Sequence, residues 1–373
     1  MPRRCAPLDC SASLRSEAGD VMPGANLSSH DERLAAAVHG AARAIARGEL
    51  VAFPTETVYG LGARADDDAA VAAIFAAKGR PKDHPLIVHV AGPRQAAAFT
   101  PELSRIAQRL VAAFWPGPLT IVVNRAPGMA GAAAGGHASI ALRCPAHPVA
   151  QALLADALEL GVPGIAAPSA NRFGRISPTT AQHVRDDLGP DLLVLDGGPC
   201  EVGIESAIVD CRGERPVLLR PGALSRAGIE AAVGQRLLVP DRAATPAPGT
   251  LASHYAPRAI LRLLPGAELQ SALVGQAPDG TALAVYSRSV PADPRRPGAS
   301  PGPWRAMPGD AAAAARELFA ALRDLDRPGI EEIWVEEPPD LPEWEGVRDR
   351  LRRAAEPDAA PRPGPQGKAL EIE

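Results

Sequence analysis

The residues able to do chemistry lie in short polar clusters that follow apolar runs. Pro54-Thr55-Glu56-Thr57-Val58-Tyr59-Gly60-Leu61-Gly62 places hydroxyls, a carboxylate and glycines after Leu50–Phe53. Such a segment either receives a small polar ligand or is a turn whose hydroxyls bond its own backbone. Lys78-Gly79-Arg80-Pro81-Lys82-Asp83-His84-Pro85 closes an apolar stretch with three cations in five residues. An ammonium and a fork-shaped guanidinium side by side make a phosphate trap. The same charges at a helix C-terminus also answer its dipole. Further on stand Ser139-Ile140-Ala141-Leu142-Arg143, Pro168-Ser169-Ala170-Asn171 with Thr179 beyond it, Gly203-Ile204-Glu205-Ser206 and Leu219-Arg220-Pro221-Gly222. Arg143, directly after an apolar strand, must snorkel or pair with an anion. Ser169 and Asn171, two apart, face one side of an extended chain. His89, in a strand close to the cation cluster, reads as a structural histidine or a site residue.

No G-x-S-x-G, H-E-x-x-H or G-x-x-x-x-G-K-[ST] is present, so neither covalent nor zinc hydrolysis has a motif. Cationic strand ends, several hydroxyls and no nucleophile–base pair suit a polyanion held beside a small polar molecule. Open sheets place ligands at such strand ends. Only three of the 39 Lys and Arg are Lys, and Lys78 and Lys82 both fall in the cation cluster. A lysine there supplies a compact point charge.

These clusters need elements to position them. Helical spacing of Leu34, Val38, Ala41 and Ile45 predicts a helix over 31–48. Further helices are expected at 67–78, 103–114 and 147–160, and one from the Ser177-Pro178 pair to about Leu188. Strands are expected at 50–53, 86–90, 119–123, 138–142, 164–167, 192–195, 207–210 and 217–219, with Ile87 and His89 on the face opposite Leu86, Val88 and Val90. Strands mixed with helices at uneven intervals indicate one α+β domain, roughly 31–235. A Pro-rich linker follows at 236–258. Beyond it, strands at 260–264, 282–286 and 332–335 alternate with helices at 268–274, 311–325 and 346–355, a small α/β unit with parallel pairing. That unit has no G-x-G-x-x-G after its first strand, so a dinucleotide site there is unsupported. Residues 1–30 read as a disordered leader and 357–373 as a tail.

The chain has 373 residues, 46% hydrophobic and 3% aromatic, so its core must be aliphatic. A net charge of −4 lacks the basic excess of a dedicated nucleic-acid binder. No apolar run reaches the ~18–20 residues of a membrane span, and the first thirty residues lack the apolar core of a signal peptide. The five cysteines, an odd number, form no C-x-x-C pair, which disfavours zinc and disulfides and makes the cytoplasm the expected location.

Phe53–Gly62, Lys78-Gly79-Arg80 and Ser169-Ala170-Asn171 together resemble the Sua5/YciO/YrdC family, whose hallmark is a K-x-R…S-x-N tetrad. Asp196-Gly197-Gly198-Pro199-Cys200 through Glu205-Ser206, and Leu219-Arg220-Pro221-Gly222, extend the likeness. So does the linker run Pro248-Gly249-Thr250-Leu251-Ala252-Ser253-His254-Tyr255-Ala256-Pro257. That run followed by an α/β unit is similar to the long, Sua5-type members. The resemblance covers 31–258 by motif and 259–355 by architecture. It implies a YrdC-like twisted mixed sheet with helices over 31–235, a lid-forming linker at 236–258 and a smaller Rossmann-like α/β domain at 259–356. It also implies synthesis of threonylcarbamoyl-AMP and pyrophosphate from L-threonine, bicarbonate (or CO₂) and ATP, with Mg²⁺ on the triphosphate. The product would feed the downstream transferase machinery of tRNA t6A modification, with a direct tRNA contact left open. By motif, Thr57, His89, Arg143, Ser169 and Ser206 would hold threonine, Arg143 facing its carboxylate. Arg80, His84, Ser139, Asn171, Thr179, Arg220 and Tyr255 would line the ATP site. Lys78 and Arg80 would carry catalysis at the phosphates, and no protein-bound metal is implied. His84 stands where the family often has Asn, and Ala207 where Thr is usual.

Two rival functions follow from the same fold. A non-catalytic module binding double-stranded RNA or tRNA would show salt-sensitive RNA binding without ATP turnover. A carbamoyl-adenylate transferase of hydrogenase maturation would need zinc-finger cysteine spacing, which is absent.

Overall fold

The structure is a computed structural model that describes residues 29–239, 248–249, 254–275, 282–291 and 303–356. The expected leader (to residue 28), most of the linker (240–247 and 250–253) and the tail lie outside the described residues.

The N-terminal domain is a nine-stranded mixed sheet ordered β7-β1-β2-β6-β3-β5-β4-β8-β9. Its strands are β1 (Val51–Phe53), β2 (Gly60–Arg64), β3 (Ile87–His89), β4 (Leu119–Asn124), β5 (Ser139–Arg143), β6 (Ile165–Ala166), β7 (Leu193–Val194), β8 (Ala207–Asp210) and β9 (Val217–Arg220). The helices are α1 (Ser29–Ala46), α2 (Asp68–Lys78), α3 (Pro93–Ala96), α4 (Arg105–Phe114), α5 (Pro148–Glu159), α6 (Ala181–Leu188) and α7 (Arg226–Val233). Strand alternation splits the core between two faces. Val51 and Phe53 pack with Ala41, Ile45 and Leu153 of α1 and α5. Ala52, Leu61, Val88 and Leu142 point the other way, toward Ile74 of α2 and Leu110 of α4.

Local signals set α2 closely. Asp67 caps it by accepting from the Ala69 and Ala70 N–H groups, and Gly79 ends it in the left-handed region at φ 65°. The helix expected from Ser177-Pro178 begins later, at Ala181 with Thr180 as cap. The Ser177 hydroxyl is taken by Glu205 at 2.5 Å, and the Pro178 carbonyl accepts from the Tyr59 N–H. Strand β2 has no counterpart in the sequence reading. Its glycines look like a turn, but a Cβ at Gly62 would lie 2.8 Å from both Ile165 and Phe53, so the close strand packing requires glycine there.

The C-terminal domain is a four-stranded parallel sheet ordered β10-β13-β11-β12. It contains β10 (Ile260–Leu264), β11 (Leu283–Ser287), β12 (Trp304–Ala306) and β13 (Glu332–Glu336), with α8 (Gly266–Gly275), α9 (Ala311–Leu325) and α10 (Glu345–Ala355). The parallel pairing agrees with the sequence reading, although β12 was not expected. Leu318, Phe319 and Leu351 cover one face, and the same apolar cluster takes in Val58, Ile176 and Ile204 from the N-terminal domain. The two domains therefore share a core beside the polar clusters. Arg323 adds a polar link, donating to Asp187 Oδ2 at 2.6 Å and to the Ile176 carbonyl.

Candidate active site

Sheet register builds the site. His89 pairs with Arg143, Arg143 with Thr120, Thr120 with Ile208, and Ile208 with Arg220. One row across β3, β5, β4, β8 and β9 thus carries an imidazole, two guanidiniums and a hydroxyl. The neighbouring residues Ile87, Ala141, Val122, Ile208 and Leu219 form a small apolar floor. A cleft of about 530 Å³, counting its open mouth, lies over this row and is lined by Thr55, Arg80, His89, Arg143, Ser169, Ser206, Arg220 and Tyr255 among others.

Arg143 is buried and strongly held. Nη2 donates to Glu56 Oε1 at 2.6 Å, Nη1 to Thr57 Oγ1 at 2.8 Å and Nε to the Gly117 carbonyl at 3.3 Å. A guanidinium has five N–H groups, so two remain for the cleft. The Thr55 hydroxyl donates to the Val58 carbonyl and accepts from the Thr57 and Val58 N–H groups. The first cluster is therefore a hydroxyl-stapled turn, and that turn presents Thr57 and Glu56 to Arg143. His89 is 3% exposed, and its Nδ1 has no partner among the described residues. Burial, then the nearby Arg143, push its pKa down to about 3, so it is neutral at physiological pH. The Ser206 hydroxyl shares a 2.8 Å hydrogen bond with Thr120 and accepts from Arg220 at 3.3 Å. No described residue bonds the Ser169 hydroxyl at the cleft wall.

Lys78 is turned inward. Its ammonium donates to the Ser169 carbonyl at 2.6 Å and to the Asn171 carbonyl, tying the K-x-R element to the S-x-N turn. Burial, then the Arg80 charge, lower its pKa well below the usual lysine range. The Asn171 amide donates to the Arg172 and Arg175 carbonyls, leaving Oδ1 buried without a partner among the described residues. Arg80 donates to the Pro85 carbonyl at 3.1 Å and lies over the Phe173 ring, while its Nε has no partner among the described residues. Burial is the main cause that lowers its pKa to about 10. His84 also packs on Phe173, and Thr179 contacts His183; neither lines the cleft. Ser139 lies at the far end of β5, about 13 Å along the strand from Arg143 at ~3.3 Å per residue, and is outside the cleft.

Arg220 donates to the Ser206 carbonyl at 2.9 and 3.1 Å and to the Pro248 carbonyl at 2.9 Å. Tyr255, at φ 64°, stacks on Phe319, and its hydroxyl has no partner among the described residues. A Cβ on Gly249 (φ +72°) would lie 2.4 Å from that hydroxyl and 2.6 Å from Arg220 Nη1. The described linker residues thus close over Arg220 at one end of the cleft.

The charges do not balance. Arg143 is paired with Glu56 and Arg350 with Glu205, but Lys78, Arg80 and Arg220 have no carboxylate partner among the described residues. The sequence places Glu56 and Glu205 in polar clusters and His254 in the linker run without giving any of them a role, and it does not single out Arg350. Glu56 and Glu205 already carried a signal, as single carboxylates within otherwise hydroxyl- and cation-rich runs. Arg350, on a charged surface-like helix, carried none. No described helix is long and apolar enough to cross a membrane.

A family model described as Telomere recombination, that of Sua5, YciO and YrdC, matches residues 43–222. One described as Threonylcarbamoyl-AMP synthase, C-terminal domain, matches residues 224–356. A threonylcarbamoyl-AMP synthase of Pyrococcus abyssi is 39% identical over 331 residues, covering 84% of this chain and 93% of that protein. One of Bacillus subtilis is 37% identical, over 88% of this chain and 94% of its own length. The crystal structure of P. abyssi Sua5 complexed with L-threonine superposes with a TM-score of 0.77 at 37% identity, covering 85% of this chain and 94% of that one. With its paired arginine row, cation-lined cleft and attached parallel α/β domain, this chain belongs to the Sua5/YciO/YrdC family, in its two-domain form.

Proposed function

We propose that this chain makes threonylcarbamoyl-AMP and pyrophosphate from L-threonine, bicarbonate or CO₂, and ATP, the synthase activity named for its P. abyssi and B. subtilis relatives. The observation that carries this reading is the surplus of buried cation at one cleft: Arg80 and Arg220 line it without any carboxylate partner among the described residues. Burying unpaired guanidinium is costly, and a triphosphate offsets that cost. Beside them Arg143, its charge matched by Glu56, keeps two N–H groups with which to bind an amino-acid carboxylate.

In this reading Arg143, with Thr57 orienting it, holds the threonine carboxylate, while neutral His89, Ser169 and Ser206 meet the polar groups around it. Arg80, Arg220 and Tyr255 hold the nucleotide directly. The resemblance also gives Asn171, Thr179, His84 and Ser139 to the ATP site; none of the four lines the cleft, so their contacts with the nucleotide would fall beyond it. Lys78 acts by fixing the S-x-N turn and adding charge beneath the phosphates. Mg²⁺ would enter on the triphosphate as part of the substrate and offset its charge. The threonine amine adds to CO₂ and loses a proton, giving a carbamate. A carbamate oxygen then attacks the α-phosphorus, the bond from it to the α–β bridging oxygen breaks, and pyrophosphate departs with its metal. Cations that stabilise the leaving charge are what such a transfer needs, and a protein nucleophile is not. The described linker residues, with Pro248 accepting from Arg220 and Gly249 close to both Arg220 and the Tyr255 hydroxyl, would shield the labile carbamate from water. The product is passed to the t6A transferase machinery in the cytoplasm.

The test is pyrophosphate release by purified protein with MgATP, omitting threonine or bicarbonate in turn. Release that needs both supports the proposal. No release under the complete mixture sinks it, and salt-sensitive RNA binding without turnover would replace it with the RNA-binding reading.

A further inference from the structure

One side chain of the C-terminal domain reaches the wall of the cleft. Arg350 on α10 is 1% exposed. Its Nε donates to Glu205 Oε2 at 2.8 Å, its Nη2 to the Glu205 carbonyl at 3.1 Å and its Nη1 to the Pro221 carbonyl at 2.9 Å. Nη1 also reaches Asp349 Oδ2 at 2.8 Å, and the guanidinium carbon lies 5.4 Å from the centre of the Tyr255 ring. Each of the cross-domain partners is, or adjoins, a residue of the site. Glu205 precedes Ser206, Pro221 follows Arg220, and Tyr255 lines the cleft itself. Arg350 does not line it. The start of the same helix abuts the next residue of that segment, for a Cβ on Gly346 would lie 2.6 Å from the Gly222 carbonyl oxygen.

The three nitrogens of one planar fork are therefore used at once, on Glu205, on Pro221 and on the adjacent Asp349, while its face lies over the Tyr255 ring. A lysine places a single point charge and cannot reproduce that. Because Arg350 is matched by Glu205, the pair contributes little net charge to the cleft. What it contributes is the placement of Arg220 and Tyr255.

We propose that Arg350 is a positioning residue for the nucleotide end of the cleft, so that the C-terminal domain is part of the ATP site. The inference rests on the ATP assignment made above. Two of its cross-domain hydrogen bonds go to Glu205, whose neighbour Ser206 offers its carbonyl to Arg220, the third goes to Pro221 beside Arg220, and its face meets Tyr255, so ATP rather than threonine should feel its loss.

The test uses the full chain and the variants Arg350→Lys and Glu205→Gln/Arg350→Met. Calorimetry gives MgATP affinity, pyrophosphate release gives the KM for ATP and for threonine, and a melting curve reports folding. Arg350→Lys keeps the charge and is expected to fold with ATP affinity and ATP KM about tenfold weaker, equivalent to ~1.4 kcal/mol. Its threonine KM should change less than about twofold, ~0.4 kcal/mol. A melting temperature that drops while ATP binding is unchanged, or equal losses for both substrates, would make Arg350 merely structural and overturn the inference. If Arg350→Lys does not fold, the double variant, which strands neither member of the Glu205–Arg350 pair and leaves Asp349 on Arg353, decides the matter: weakened ATP binding supports the inference and wild-type binding refutes it. Should the parent protein bind MgATP but release no pyrophosphate, the activity proposal fails, and the calorimetric comparison still judges Arg350. Should it bind no MgATP, both fall.

Discussion

Replacing Arg143 with Ala would remove two different things, and the structure separates them. The guanidinium and Glu56 are a buried pair, 4% and 7% exposed, at 2.6 Å. Without Arg143, Glu56 keeps one partner, the Ala146 N–H at 3.0 Å. Breaking a buried pair from one side costs about 3–5 kcal/mol. For a domain of this size, 2–4 °C per kcal/mol makes that a fall in Tm of about 6–20 °C. Separately, losing a charge-assisted bond to the threonine carboxylate removes about 1.5–3 kcal/mol. That raises the threonine KM by about 10–150-fold. The two effects part in the double variant Glu56→Gln/Arg143→Met, which has no buried charge left to strand. Its Tm should recover at least half of the loss, while its threonine KM stays high and its ATP KM stays near that of the parent. Thermal melts and pyrophosphate release at varied threonine measure both. A single variant melting within about 2 °C of the parent would show that the pair matters little to stability. A double variant with normal threonine use would refute the carboxylate assignment.

Gly249→Ala should raise the ATP KM about tenfold with little effect on threonine, because the new methyl displaces the Tyr255 hydroxyl or the Arg220 guanidinium; an unchanged ATP KM contradicts the closing role of that residue. The protein should also lose stability on mild acidification. His89 has a folded pKa lowered to about 3, His183 one lowered to about 4, and His254 one lowered well below the ordinary 6.5. The unfolded chain therefore binds more protons below pH 6.5, and stability present above that pH is lost as it falls. Buried His89 alone contributes a slope of up to ~1.4 kcal/mol per pH unit. His89→Gln should flatten the fall in Tm between pH 6.5 and 5; an equally steep fall would place the effect elsewhere.

Much of this protein is legible in its sequence where the determinants are local. Asp67 and Gly79 delimit α2, aliphatic alternation marks β3, β4 and β5, and the polar clusters stand at strand ends because that is where a sheet stops burying side chains. The excess of cations over nucleophiles is likewise a property of composition, and it already pointed to a polyanion. Where the reading missed, a long-range contact outweighed a local preference. The Ser177-Pro178 pair looks like a helix start, yet Glu205, 28 residues away, claims that hydroxyl. Gly60 and Gly62 look like a turn, yet the packing of Phe53 against Ile165 makes them a strand.

The tertiary structure alone decided which charges are spent and which are free. Glu56 meets Arg143 across 87 residues and Arg350 meets Glu205 across 145, and no periodicity or motif encodes such pairings. It also turned Lys78 onto the carbonyls of the S-x-N turn, 91 and 93 residues away. The physical reason is that hydrogen bonds and ion pairs depend on distance and desolvation in space, whereas a sequence fixes only the type and order of the groups that compete for them.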